Sequence, residues 1–277
     1  MKTLNILIPT DFSQVSLQAL EMAEILAHKV PVNIHMLHVI EANDATPEFS
    51  ETTDPKELEQ KKERARFSFD ALKASGKTFE SHIKVGLLTD QINHTASEQE
   101  ADLVIMGTHG SEGFMEKISG SEAQHVARYL KVPVITIRPG TPLMGLKNIL
   151  LVADFERFGK GVQIDTIKTL AEAFDSTIHL LQIIKEEDEK YAPVTEAQME
   201  FFAREHQLPK YEIHLYRDRK VADGVRNFNR EAEMDLVCIR THGRKGIEHL
   251  LFGSIAERLV NHCIKPLLTF QLKEQHA

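Results

Sequence analysis

The chain has 277 residues, with 33 Lys and Arg against 41 Asp and Glu and a net charge of −8. That length suggests two domains of about 100–200 residues each. The acidic balance argues against a general nucleic-acid binder, which needs a cationic face for phosphate, and no apolar run approaches the roughly 20 residues that span a bilayer. The opening MKTLNILIPTDF has an apolar run broken by Asn5, too short for a secretory segment of about 7–15 apolar residues. Cys238 and Cys263 both lie in apolar stretches, so reduced core thiols and a cytoplasmic location are expected.

Strand and helix signals alternate along the chain. A short strand over 6–9 leads into a helix over 13–27, where Leu17, Leu20, Ala23, Ile25 and Leu26 give an approximate apolar stripe. A second strand covers 34–40. The polar stretch 41–54, with Pro47, reads as a loop, and Pro55 opens a charged helix to about 75, as suits proline in a first helical turn. A third strand follows over 79–85, a helix over 89–100, a fourth strand over 103–106, a helix over 121–130 and a fifth strand over 132–137. Pro139, Gly140, Pro142 and Gly145 mark a linker. The acidic run 186–190 reads as a solvated loop.

The pattern then recurs. Asn5 to Phe12 matches Asn148 to Phe155 at an offset of 143, and the block at Ile34 matches that at Ile178 at 144. His82 matches His214 at 132; Thr108-His109-Gly110 matches Thr241-His242-Gly243, and Gly120-Ser121 matches Gly253-Ser254, both at 133. A period this long is a domain duplication, since solenoid repeats run about 20–50 residues. The expected units are 1–140 and 146–277. Strands separated by helices imply an α/β fold with a parallel sheet and right-handed crossovers. Such sheets bind ligands beyond the carboxyl ends of strands where the strand order reverses. Asp11 and Gly107 stand just past the first and fourth strands, so neighbouring strands there would bring both to one crevice.

The most informative stretch runs from Asp102 to Val126. An apolar strand ends in Gly107, and the spacing G-x2-G-x9-G-S follows through Gly110, Gly120 and Ser121. Glycines let backbone N–H groups approach an anion closely, and a helix start beside Ser121 favours negative charge. This is the expected phosphate cradle. It is acidic, with Glu112, Glu116 and Glu122, and Lys117 is the one cation between Gly107 and Ser121. A polyphosphate there would want Mg²⁺.

These residues carry a resemblance. Pro9-Thr10-Asp11-Phe12-Ser13 with Ser16 beyond, the G-x2-G-x9-G-S spacing, and the second copy's THGRKGIEHLLFGSIAERLV together resemble a tandem universal stress protein over nearly the whole chain. The resemblance implies two doubly wound domains, each a five-stranded parallel sheet of order 3-2-1-4-5 with helices on both faces. It implies ATP held without Walker machinery in the nucleotide-binding branch. Carried over by position, Pro9, Thr10, Asp11 and the backbone at Val39 hold the adenosine end. Met106, Gly107, His109, Gly110, Gly120, Ser121 and Glu122 line the ribose and phosphates, with Glu122 standing where the family usually has an apolar residue. The family's fifth strand commonly forms the dimer contact, which implies that the two units pair through their fifth strands. A homodimer of the whole chain stays open.

The second copy departs more strongly. Arg240 replaces Gly107, Val152 replaces Pro9, and Glu156 and Gly159 replace Ser13 and Ser16. Its remaining positions, Asp154, Ile183, Gly243, Gly253 and Ser254, make a degenerate second site in which Arg240 either plugs the pocket or binds an anion. Asp11 has an alternative role as a helix cap. His35 with His82, and His179 with His214, could meet across adjacent strands, but no third ligand is evident and a zinc site needs three or four; no metal is expected. The chain lacks G-x4-G-K-[ST], and its glycine loop lacks the concentrated positive charge of phosphoryl transfer. The expectation is therefore ATP binding, with Mg²⁺, in the first unit without efficient turnover and with no catalytic residue. A nonbinding scaffold of the same fold, or a carrier of another ligand between the units, is the alternative.

Overall fold

Ten strands form the frame of the molecule: β1 Leu4–Pro9, β2 Val32–Ile40, β3 Glu80–Val85, β4 Leu103–Gly107, β5 Val134–Ile137, β6 Asn148–Val152, β7 Thr177–Ile184, β8 Tyr211–Arg217, β9 Leu236–Thr241 and β10 Leu267–Gln271. The computed structural model describes residues 2–41, 54–108, 130, 132–143, 145–155, 164–241, 259, 263 and 265–271. Hydrogen-bonded neighbours follow the order β3-β2-β1-β4-β5-β10-β9-β6-β7-β8. Each half has parallel pairing, as the alternation of strands and helices implies, and the order 3-2-1-4-5, as the resemblance implies. The two halves do not stay separate sheets. β5 and β10 pair antiparallel and fuse them into one.

The fusion has an internal symmetry. Ile135 faces Leu268, its own repeat equivalent, while Thr136 faces Leu267 and Val134 faces Thr269. The Thr136 hydroxyl donates to the Leu267 carbonyl at 3.4 Å, and the Thr269 hydroxyl donates to the Val134 carbonyl at 3.4 Å. A pseudo-twofold axis therefore passes between Ile135 and Leu268. Both strands are apolar and short, and each would otherwise present an unpaired edge, the usual template for aggregation.

The helices are α1 Gln14–Ala27, α2 Pro55–Ala74, α3 Leu88–Glu98, α4 Asp165–Phe174, α5 Ala192–Glu205 and α6 Val221–Ala232. On one face of the sheet a single apolar cluster joins α1, α2, α4 and α5, and it crosses the seam through Ile135, Ile137, Leu268 and Phe270. On the other face two clusters lie apart, one under α3 and one under α6. The expected helix over 121–130 lies outside the described residues except for Leu130, which is buried. The acidic run expected as a loop instead forms a 3-10 helix, Glu186–Tyr191, leading straight into α5. Pro193 stands in the first turn of α5, where its fixed φ and missing N–H suit a helix start. No helix among the described residues is long and apolar enough to cross a membrane. Both cysteines are free, and burial pushes the Cys238 thiol far up, so it acts as a small core hydrophobe.

Two details set the strand ends that matter for the site. Asp102 Oδ2 accepts from the Asn5 N–H at 3.0 Å, and Asp235 Oδ2 accepts from the Lys147 and Asn148 N–H groups at 2.8 Å each. These repeat-related carboxylates tie β1 to β4 and β6 to β9 at the amino ends of the strands. At the carboxyl end, Gly107 lies against the first turn of α1. A Cβ built on it would stand 2.5 Å from the Val15 carbonyl oxygen and 2.8 Å from the Ser16 nitrogen. The glycine is thus needed for helix packing as well as for any ligand. Arg240 stands in the same place on β9, and residues 156–163, the repeat equivalents of the start of α1, lie outside the described residues.

Two outcomes test this frame by urea denaturation. Ile135→Ala and Leu268→Ala should each cost about 2–5 kcal/mol, and the double variant should depart from additivity by about 0.5–3 kcal/mol because the two side chains share one seam; strict additivity would contradict it. Gly107→Ala should cost about 1–3 kcal/mol through overpacking. Gly145→Ala, whose new Cβ would meet only Phe174 Cδ1 at 3.9 Å, should stay near the parent.

Candidate ligand-binding cleft

The loop after β1 is held in an unusual shape by its own side chains. Thr10 is buried; its Oγ1 accepts the Phe12 N–H at 3.0 Å and lies 2.9 Å from the Ser16 Oγ. Phe12 sits in the left-handed region at φ 64°, which costs a non-glycine residue about 1 kcal/mol or more. Its ring offsets this by packing edge-on to Phe69 of α2 at 4.9 Å. Ser13, in extended conformation, is the N-cap of α1, and its Oγ accepts the Ser16 N–H at 3.4 Å.

This arrangement corrects one alternative from the sequence. Asp11 is not the helix cap; Ser13 is. Asp11 lies at the exposed rim, where Oδ1 accepts the Ser13 N–H at 3.0 Å. Burial pushes its carboxyl up, but hydrogen bonds from Ser13 and Ser16 outweigh that and hold it below the ordinary aspartate value. It is ionised at neutral pH and offers acceptors outward.

β1 and β4 are neighbours, with Ile6 opposite Leu103 and Leu7 opposite Val104, so the reversal of strand order falls between them. A cleft of about 450 Å³ opens at this point, beyond the carboxyl ends of β1, β2 and β4. Pro9, Thr10, Asp11, Val39, Met106 and Gly107 all line it. The structure therefore brings together the described half of the predicted site. His109, Gly110, Gly120, Ser121 and Glu122 lie outside the described residues.

Other lining residues are not among those predicted from the sequence, four of them polar or charged side chains with a clear place in the cleft. His38 packs its ring against Phe12 at 5.0 Å, with Nδ1 2.8 Å from the Thr10 carbonyl. A carbonyl only accepts, so Nδ1 carries the proton and, in the neutral ring, Nε2 is left as an acceptor. Lys61 and Arg64 come from α2 and line the same cleft, together with Ser68. Their spacing puts them on one face of that helix. The signal was present as the interval 61, 64, 68, but the helix read only as charged. Lys61 is shared with Glu57 at 2.8 Å; Arg64 makes no ion pair among the described residues.

In the second half the corresponding positions are filled differently. Ile183 stands where the first half has Val39, and α6 lies tight over it: a Cβ on Gly224 would meet Ile183 Cδ1 at 2.8 Å. Gln182 replaces His38, and its Oε1 accepts the Phe155 N–H at 3.0 Å. Asp154 keeps its place after β6, and Arg240 occupies the Gly107 position on β9, opposite Phe270. Gly243, Gly253 and Ser254 lie outside the described residues.

The histidine pairs do meet. His35 Nδ1 is 3.2 Å from His82 Nε2, and His179 Nδ1 is 3.0 Å from His214 Nε2. The expectation that no third group accompanies them is corrected: Glu80 joins the first pair and Glu212 the second. Strand alternation hid this. Glu80 and His82 are two residues apart on β3, and residues at i and i+2 share a face.

The universal stress protein family model matches the chain twice, over residues 3–138 and 145–271. Universal stress protein G of Shigella flexneri is 26% identical over 140 residues, covering 48% of this chain and 97% of that protein. Universal stress protein MJ0531 of Methanocaldococcus jannaschii is 26% identical over 137 residues, covering 48% and 81%. A solved universal stress protein from Archaeoglobus fulgidus has the same fold along its length, with a TM-score of 0.75 at 17% identity, covering 98% of this chain and 97% of that one. The chain belongs to the universal stress protein family and carries its domain twice.

Proposed function

We propose that the first unit binds ATP, as its magnesium complex, in the cleft beyond β1, β2 and β4, and holds it without efficient turnover. The observation that carries this reading is a cleft of ligand size at the switch point of the sheet, with an ionised Asp11 at its rim and two cations above it. Pro9, Val39 and Met106 give an apolar slot for the base. Asp11 offers acceptors to the ribose hydroxyls. Phosphates would leave past Gly107 toward His109, Gly110, Gly120, Ser121 and Glu122. Lys61 and Arg64 supply positive charge that the glycine loop lacks, and Mg²⁺ offsets the repulsion from Glu112 and Glu116.

Holding fits better than hydrolysis. Phosphoryl transfer requires positive charge concentrated on the transferring group, and Lys61 is already shared with Glu57. Asymmetry fits the second half's substitutions, where Arg240 and Ile183 occupy the positions of Gly107 and Val39. A second reading, a scaffold acting through partner surfaces, draws on Phe67 of α2 and Phe201 of α5, which are 77% and 62% exposed. Nucleotide released on denaturing the purified protein, read by absorbance and mass spectrometry, separates the two.

Calorimetry with Mg-ATP should give one site per chain. Asp11→Ala should weaken it tenfold or more, since a charge-assisted hydrogen bond contributes about 1.5–3 kcal/mol. Gly120→Val should abolish binding and Gly253→Val should leave it unchanged. The reverse pattern would move the site to the second unit, with Arg240, Arg244 and Lys245 as its anion-binding group. In a steady-state ATPase assay, a robust rate that disappears in Asp11→Ala while the fold persists would overturn the holding-only reading.

A further inference from the structure

The two outer strand pairs carry the same three side chains in the same arrangement. On β7 and β8, His179 Nδ1 lies 3.0 Å from His214 Nε2 and 3.5 Å from Glu212 Oε2, and His214 Nε2 lies 3.7 Å from the same carboxylate oxygen. On β2 and β3, His35 Nδ1 lies 3.2 Å from His82 Nε2 and 3.5 Å from Glu80 Oε2. In both, all three atoms fall within 4.8 Å of one another. Both clusters sit toward the amino ends of their strands, away from the cleft. They are an imidazole–imidazole–carboxylate set, the ligand chemistry of divalent zinc and its neighbours.

Distances favour the second cluster. Ligands about 2.0–2.1 Å from a tetrahedral ion stand about 3.3–3.4 Å apart, and the triangle of 3.0, 3.5 and 3.7 Å brackets that edge. Opening the shortest side by ~0.3 Å is within the reach of His214, which is partly exposed.

The tautomer points the same way. His179 Nε2 lies 3.3 Å from Asn148 Oδ1, an oxygen that only accepts. Nε2 therefore bears the proton, and the Nδ1 lone pair of the buried ring is directed into the cluster. Metal-bound histidines are oriented by such a bond on the far nitrogen.

Among the described residues no lysine or arginine pairs with Glu212 or Glu80. In the first unit the orienting contact is missing, because Asn5 Oδ1 accepts from Asn33 Nδ2 instead.

We propose that His179, Glu212 and His214 form a site for a divalent transition-metal ion of the zinc class, with water completing the coordination from the open side, and that His35, Glu80 and His82 form a weaker copy. Occupancy would clamp β7 to β8, and β2 to β3, at the two ends of the sheet.

The test uses the full chain, free of any affinity tag and stripped of metal, without nucleotide. Zn²⁺ is followed by calorimetry and Co²⁺ by its visible absorption. Two saturable sites of unequal affinity are expected, with the d–d bands of Co²⁺ in a nitrogen and oxygen site. Glu212→Gln, at an exposed carboxylate that the fold does not need, should weaken the tighter site at least tenfold. His35→Ala should remove the weaker one, and His206→Ala, outside both clusters, should change neither. Absence of Zn²⁺ binding in the parent overturns the proposal, as does a tighter site that survives in the His179→Ala/His214→Ala double variant, which should keep only the weaker one. Retained ATP binding in either case would leave the reading of the cleft intact.

Discussion

The antiparallel pairing of β5 with β10 is the contact on which the molecule is built. Each half ends in a short apolar strand with one unsatisfied backbone edge, and buried N–H and C=O groups must find partners. Because the halves are copies, the edge that needs a partner in one is the edge that needs one in the other. An antiparallel match then follows from twofold symmetry, with Ile135 on Leu268 at its centre. The consequence reaches past the seam: the apolar layer on one face becomes continuous across both halves, while on the opposite face the two layers stay apart.

Within that symmetric frame, one backbone approach makes the halves unequal. At Gly107 the carboxyl end of β4 touches the first turn of α1, within a distance that no side chain tolerates. That contact accompanies one hydrogen-bonded turn of Thr10, Ser13 and Ser16, with Asp11 at the rim accepting the Ser13 N–H. The cleft is the space left over when helix and strand meet this closely without filling the switch point. Replacing the glycine with Arg240 removes the condition. Ile183 stands in place of Val39, and α6 packs closely on it at Gly224. The difference between the halves is thus a matter of sterics at a few positions, and both keep an aspartate after the first strand.

The charge distribution has a similar logic. Residues 1–145 carry 14 Lys and Arg against 20 Asp and Glu, which would repel an anionic ligand on average. Average charge is a poor guide to a site, because exposed charges are screened over about 8–10 Å. The helix after β2 carries Lys61 and Arg64 on the face over the cleft, where they offset Asp11 and Glu41 of the same lining. At the outer edges of the sheet, pleating places Glu80 beside His82, and Glu212 beside His214, on the same face as the histidine of the neighbouring strand.

Much of this was legible in the sequence because it rests on local or periodic rules. Apolar runs between helical stretches set the strands, Pro55 marks the start of α2, and the matching blocks at Asn5 and Asn148 reveal the duplication. The strand order and the placing of Asp11 beside Gly107 followed from the resemblance and the switch-point rule. What only the tertiary structure decided depends on residues far apart in the chain. The resemblance implied pairing through the fifth strands, but the register that puts Ile135 on Leu268 needs the two edges to meet. Ser13, rather than Asp11, caps α1 because the Thr10 side chain shapes the turn and the Phe12 ring is anchored on Phe69. Lys61 and Arg64 belong to the cleft because α2 crosses above it. Glu80 and Glu212 join the histidine pairs because strand register brings i and i+2 neighbours onto a residue of the next strand. Sequence patterns report which face of an element is buried; only the packed fold determines what that face meets.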